Sequence, residues 1–209
     1  GSLGGVGEYR LGGDVLADSK GEGAGGDVTV EMPGDVELKG VVSAKSMGLG
    51  SGGSVNFEVG GELVIKNRGG ISTEARGRGD AGVLDIKAEN IYMENQGYIS
   101  ADSAGFNSGK GGSVKIKADQ LEMKASSKIS ADTKGLSDGG DIVLDIEDIF
   151  LNGSGQYDQL DWTTIINYPS ISATTHYYYP GENDSAKIGG RGGNVGINAT
   201  NMKLAGGGS

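Results

Sequence analysis

The chain has 209 residues, 42 of them glycine and 3 proline, with no cysteine and a formal net charge of −10. The acidity argues against nucleic acid or an anionic membrane as partner, since both need a basic face, and the missing cysteines remove disulfides and thiolate metal sites. Glycine without a period of three excludes collagen, apolar residues at fixed offsets argue against disorder, and no apolar run is long enough for membrane insertion.

Taken in order, the chain is a series of near-copies. Val15-Leu16-Ala17-Asp18-Ser19 matches Ile99-Ser100-Ala101-Asp102-Ser103, so it enters part-way round a unit. A glycine, in most cases the second of a pair, then recurs at Gly26, Gly53, Gly82, Gly112, Gly140 and Gly193. The spacing is about 28 residues until the last step, which is nearly double, and such a period marks a repeat architecture.

Two residues beyond each glycine an alternating pair begins: Val28/Val30, Val55/Phe57, Leu84/Ile86, Val114/Ile116, Ile142/Leu144 and Val195/Ile197. A period of two is that of a strand. Second pairs follow at Val36/Leu38, Leu63/Ile65, Ile91/Met93, Leu121/Met123, Ile149/Leu151 and Met202/Leu204. Third pairs fall at Val42/Ala44, Ile71/Thr73, Ile99/Ala101, Ile129/Ala131 and Ile171/Ala173.

Short strands joined by glycine-rich turns suit an all-β parallel solenoid, a β-helix. One coil buries too little to offset the entropy of ordering it and needs its neighbours on both sides. The expectation is a single unit over residues 1–209, with about seven coils of about 28 residues, two of them partial, and three short strands per coil.

Outward positions carry ladders. Ser43, Ser72, Ser100, Ser130 and Ser172 should align on the third sheet, and Glu58 should meet Lys87, Asp85 meet Lys115, and Lys117 meet Asp145. Opposite charges across neighbouring strands contribute a few tenths of a kcal/mol, about 0.2–1. A serine ladder can match ice or a polymer, but one residue wide and beside Asp18, Glu74, Asp102 and Asp132 it reads as register control.

The unit Gly111-Gly112-x-Val114-x-Ile116-x-Ala118-x-x-Leu121-x-Met123, followed by Ile129-Ser130-Ala131-Asp132-Thr133, resembles the filamentous-haemagglutinin-like exoproteins of bacterial two-partner secretion. The resemblance covers nearly the whole chain. It implies a right-handed parallel β-helix, passage through an outer-membrane transporter, and a secreted or cell-surface adhesin stalk. Its partners would be a host-cell or matrix glycan or protein, or a biofilm polysaccharide. The family's Asn-Pro-Asn secretion motifs do not occur here, so the resemblance implies an interior or distal piece.

The long step from Gly140 to Gly193 is the main departure. Ile171-Ser172-Ala173 survives inside it, so it reads as one ordinary coil with insertions at 152–170 and 174–191, flanking one strand. The insertions hold Tyr157, Trp162, Tyr168, His176, Tyr177, Tyr178 and Tyr179, with Asp158, Asp161, Glu182, Asn183 and Asp184. Aromatic rings beside carboxylates and carboxamides can stack on sugars and bond their hydroxyls, or serve a protein interface. The plainer reading is that the loops fold back and cover the flank of the solenoid.

Arg78-Gly79-Asp80 is a receptor-type tripeptide in an exposed turn, though glycine and charge are common in such turns. Asp141, Asp145, Glu147 and Asp148 are candidate catalytic acids, since β-helices also house carbohydrate-active enzymes. No basic residue sits beside them locally, and Lys115 and Lys117, one coil away, pair with them more simply. The expectation is no enzyme, no cofactor and no metal: a single histidine rules out a two-histidine site. A purely structural spacer is the alternative to the adhesin.

Overall fold

The computed structural model describes residues 7–105, 108–153, 168–175 and 190–205. Every element within them is a strand. In chain order these are β1 (Glu8–Leu11), β2 (Val15–Leu16), β3 (Val28–Met32), β4 (Asp35–Leu38), β5 (Val41–Ser43) and β6 (Ser54–Val59). Then come β7 (Glu62–Ile65), β8 (Gly70–Ser72), β9 (Val83–Lys87), β10 (Asn90–Met93), β11 (Tyr98–Ser100) and β12 (Ser113–Lys124). The last are β13 (Lys128–Ser130), β14 (Asp141–Asn152), β15 (Ser170–Ser172), β16 (Val195–Asn198) and β17 (Asn201–Ala205).

They form a parallel β-solenoid of about five turns. The expected count of about seven included the partial coils at each end, where β1–β2 and β16–β17 lie. One sheet has 11 strands and the other six, the latter ordered β15-β13-β11-β8-β5-β2. All pairings are parallel, and equivalent inward residues stack: Val28 on Val55, Val55 on Leu84, Leu84 on Val114, Val114 on Ile142 and Ile142 on Val195. The core is these rows, with Phe57, Leu63, Leu84, Ile99, Leu121 and Ile129 fully buried.

Three separate strands per coil do not hold throughout. Pro33-Gly34 and Gly60-Gly61 interrupt the backbone between first and second strands, as residues with no ladder donor or no side chain to pack should. The equivalent stretches Ala118-Asp119-Gln120 and Ile146-Glu147-Asp148 contain neither residue, and β12 and β14 run unbroken through the corner. Ala88-Glu89 and Ala199-Thr200 also contain neither, yet the strands stop on both sides of them, so glycine and proline are one cause of the break and not the only one. Asp119 and Gln120 both turn outward there, which shifts the alternation and lets Leu121 re-enter the core.

Two kinds of corner close each coil. Between the second and third strands, Asn67-Arg68, Asn95-Gln96 and Ala125-Ser126 all have positive φ, from 38° to 68°. Gly69, Gly97 and Ser127 donate back to Lys66, Glu94 and Lys124 carbonyls at 2.9–3.2 Å, closing each turn. Left-handed backbone costs a non-glycine residue about 1–2 kcal/mol, least for asparagine. Alanine is the least suited of the three first residues, so Ala125→Asn should raise stability by about 1 kcal/mol, read as a later urea midpoint with unchanged slope.

The other corner is the glycine pair. Its second member, or at Ala81-Gly82 the single glycine, donates to the carbonyl that ends a third strand: Gly53 to Ala44, Gly82 to Thr73, Gly112 to Ala101 and Gly140 to Ala131, at 2.7–2.9 Å. A Cβ on Gly53, Gly82, Gly112, Gly140 or Gly193 would fall on the carbonyl of the glycine stacked one coil before it. Hydroxyls brace the same loops: Ser46 Oγ donates to Gly23 O at 3.1 Å, and Thr133 Oγ1 to Asp138 O at 2.9 Å.

Candidate functional site

The long step between Gly140 and Gly193 contains an intact third strand. β15 pairs with β13 in the register of its equivalents, Lys128 with Ser170 and Ser130 with Ser172, and Thr175 continues the bridge from Thr133. On the far side, Arg191 N–H donates to Asp138 Oδ1 at 2.7 Å and Gly193 N–H to Ala173 O at 2.8 Å. Of the proposed ligand-binding residues only Tyr168 is described. It is 41% exposed, and its ring lies where a side chain on Gly153 would project. Tyr157, Asp158, Asp161, Trp162, His176, Tyr177, Tyr178, Tyr179, Glu182, Asn183 and Asp184 lie outside the described residues.

Arg78-Gly79-Asp80 does sit in a turn with Arg78 and Asp80 exposed. Two of its three residues serve the scaffold, however. Asp80 Oδ1 accepts the Lys110 N–H at 2.7 Å and its carbonyl accepts the Gly52 N–H at 2.9 Å. Gly79 lies against the backbone of Gly50 and Ser51, leaving no room for a side chain. Of the three, only the Arg78 side chain has no hydrogen bond or ion pair among the described residues.

The acidic run is committed in the same way. Asp141 Oδ1 accepts from the backbone and side chain of Asn194 at 3.0 and 2.8 Å. Asp145 and Asp148 each take the side-chain amide of the asparagine stacked on them, Asn198 at 2.9 Å and Asn201 at 2.7 Å. This is an Asp–Asn ladder, with neighbouring carboxylates each held by a different rung. Lys117 does align with Asp145, and Asp85 with Lys115, but neither pair closes to an ion pair. Asp145 has turned to Asn198 instead. Of the three expected charge pairs only Lys87–Glu58 forms, at 3.7 Å.

A recurring aspartate rung escaped sequence reasoning. Asp14, Asp18, Asp27, Asp35, Asp80, Asp102, Asp132, Asp138 and Asp141 each accept a backbone N–H from the next coil at 2.7–3.1 Å. The signal available was the aspartate that follows the third strand at 18, 102 and 132, with a serine one rung on. Ser43 donates to Asp18 at 2.6 Å, Ser130 to Asp102 at 3.0 Å and Ser172 to Asp132 at 3.0 Å. The serine ladder exists in register, but Ser43, Ser72 and Ser130 are buried. It is therefore no open face.

The most committed rung is Asp132. It accepts the Thr174 N–H and hydroxyl at 2.8 and 2.9 Å and pairs with Lys128 Nζ at 2.8 Å. Burial alone would raise its carboxyl; the Lys128 and Thr174 hydrogen bonds outweigh it and hold the group below its ordinary value. For Lys128, burial works against the charge, but Asp102, at 3.8 Å, and Asp132 more than offset it and raise the ammonium.

One depression on the outer surface is not spent on the scaffold. In β14, Ile149 is buried inward, so Phe150 faces out. Around its ring Gln120, Glu122, Asn152, Lys203 and Ala205 line a space of about 300 Å³. Lys124 neutralises Glu122 at 2.7 Å and lies 4.9 Å over the Tyr92 ring, whose hydroxyl donates to Glu94 at 2.7 Å. Among the described residues no group of three or more histidine, cysteine or acidic side chains is placed to hold a metal. No protein-family model, curated protein or solved structure matches the chain.

Proposed function

We propose that this chain is a stretch of a secreted or cell-surface bacterial adhesin: a right-handed β-helical stalk of three-sided coils whose aromatic insertions touch a glycan or a protein. The ligand would belong to a host cell, a matrix or a biofilm polysaccharide, and an outer-membrane transporter would export the chain. The handedness follows the strong right-handed preference of parallel crossovers, about 98%. Catalysis has no part in this reading.

The observation that supports it is a contrast. Turn after turn, corner residues are consumed by hydrogen bonds to the next coil, which leaves a rigid rod with little chemistry to spare. The chain departs from that economy around β15, and there it concentrates tyrosine, its only tryptophan and its only histidine. Insertions on one face of a solenoid are a common place for binding. Tyr168 resting on Gly153 favours a second reading, in which the insertions cover the flank and the chain is a spacer.

Arrays of neutral glycans and cell-binding assays on the intact chain, and on a variant with both insertions cut to normal coil length, decide between them. The adhesive reading predicts binding that the shortened variant loses. Equal binding by both, or binding by neither, contradicts it.

A further inference from the structure

We propose that the depression around Phe150 is a saccharide subsite that takes a uronic acid. It extends the glycan-binding reading to a surface that adjoins the first insertion, whose first residue, Asn152, lines it, and it is tested separately by keeping Asn152 when the insertions are shortened.

The core does not require the Phe150 ring to be there. Strand alternation sends Ile149 inward and Phe150 outward, between Glu122 and Lys203 in a row that also carries Tyr92 and Val64 further along. An aromatic face beside a shallow polar hollow matches the C–H face of a pyranose, with the hydroxyls at its edge left to the surrounding groups. Gln120 and Asn152 offer both donors and acceptors there, and Glu122 an acceptor. The volume of about 300 Å³ suits one or two sugar rings.

Charge decides which sugar. Glu122 is spent on Lys124 at 2.7 Å. Lys203 is aligned with Phe150 and has no ion pair or hydrogen bond among the described residues. The hollow therefore carries one unspent cation on a chain whose formal charge is −10. A sugar carboxylate satisfies it, which a neutral sugar does not. The ring and the amides in turn favour a sugar over a small inorganic anion.

The test is titration calorimetry with a short oligogalacturonate and an uncharged oligosaccharide of equal length, on the intact chain and on Phe150→Ala, Phe150→Tyr and Lys203→Gln. The acidic ligand should bind at least about tenfold tighter than the neutral one. Phe150→Ala should weaken it by about tenfold or more and Phe150→Tyr should retain it. Lys203→Gln should erase the preference between the two ligands. Thermal unfolding of the variants, unchanged because the ring is outside the core, keeps the reading tied to the site. The proposal is overturned if the oligogalacturonate does not bind, if the two ligands bind equally, or if Phe150→Ala binds as the parent does. A variant with the insertions shortened but Asn152 kept should retain oligogalacturonate binding. Loss in that variant with retention in Phe150→Ala assigns the ligand to the insertions and overturns the subsite alone.

Discussion

Gly112→Ala and Gly140→Ala should each destabilise the solenoid by about 2–4 kcal/mol, whereas Gly13→Ala should change stability by less than about 0.5 kcal/mol. The difference has nothing to do with composition or with φ. A Cβ on Gly112 would fall on the Gly82 carbonyl, and one on Gly140 on the Gly112 carbonyl, so the obstacle is backbone and cannot rotate aside. Each carbonyl belongs to a glycine whose own N–H is already bonded, Gly82 to the Thr73 carbonyl and Gly112 to the Ala101 carbonyl, at 2.9 and 2.7 Å. Relief requires two coils to separate, and in a stacked array that weakens the contact on which both rely. At Gly13 nothing lies within 4 Å of the added carbon. Urea unfolding of the three variants measures the contrast. Equal, small losses at all three positions would mean that the coils are not stacked as closely as described.

Asp132→Ala should cost about 2–3 kcal/mol near neutral pH, because it leaves the Lys128 ammonium, the Thr174 N–H and the Ser172 and Thr174 hydroxyls short of an acceptor at one place. Asp132→Asn keeps one acceptor oxygen and should cost about half as much. The dependence on pH has a definite sign. The folded carboxyl lies below its ordinary 3.8, so its contribution is present above that value and is lost as pH falls through the depressed folded one. The folded ammonium lies above its ordinary 10.5, so its contribution is present below that value and is lost as pH rises through the folded one. The gap between parent and Asp132→Ala should therefore be a plateau between these limits, closing on the acid side. Unfolding midpoints measured across pH check it; a gap that widens in acid would show that the carboxylate is not what holds the rung.

The strands were legible in the sequence because their cause is local. Alternation at Val114/Ile116 or Leu63/Ile65 is the pleat itself, and the recurring glycine marks the corner where backbone meets backbone. The stacking rows followed, since equivalent positions of successive repeats must lie on one another. What was not legible depends on a neighbour that the local pattern does not contain. Asp132 looks like a surface charge until Thr174, 42 residues on, is placed against it. The serine ladder reads as outward from alternation alone, whereas Ser43, Ser72 and Ser130 are buried, and Ser43, Ser130 and Ser172 donate to aspartates of the coil before. Asp145 was paired with Lys117 by register, but its carboxylate has two neighbouring rungs and took Asn198 on the other side. Phe150 was passed over because positions between inward residues read as filler. Arg78-Gly79-Asp80 drew attention as a motif, while two of its residues are corner parts.

The sharpest measurement is made on one protein: the variant with both insertions shortened to normal coil length, examined for urea midpoint and for binding to neutral glycans or cells in the same preparation. The account predicts that the midpoint stays with the parent while binding disappears, since the scaffold is closed by its own rungs and the insertions serve the ligand. A midpoint that falls together with binding would make the insertions structural cover, and binding that survives would place recognition elsewhere; either result contradicts it.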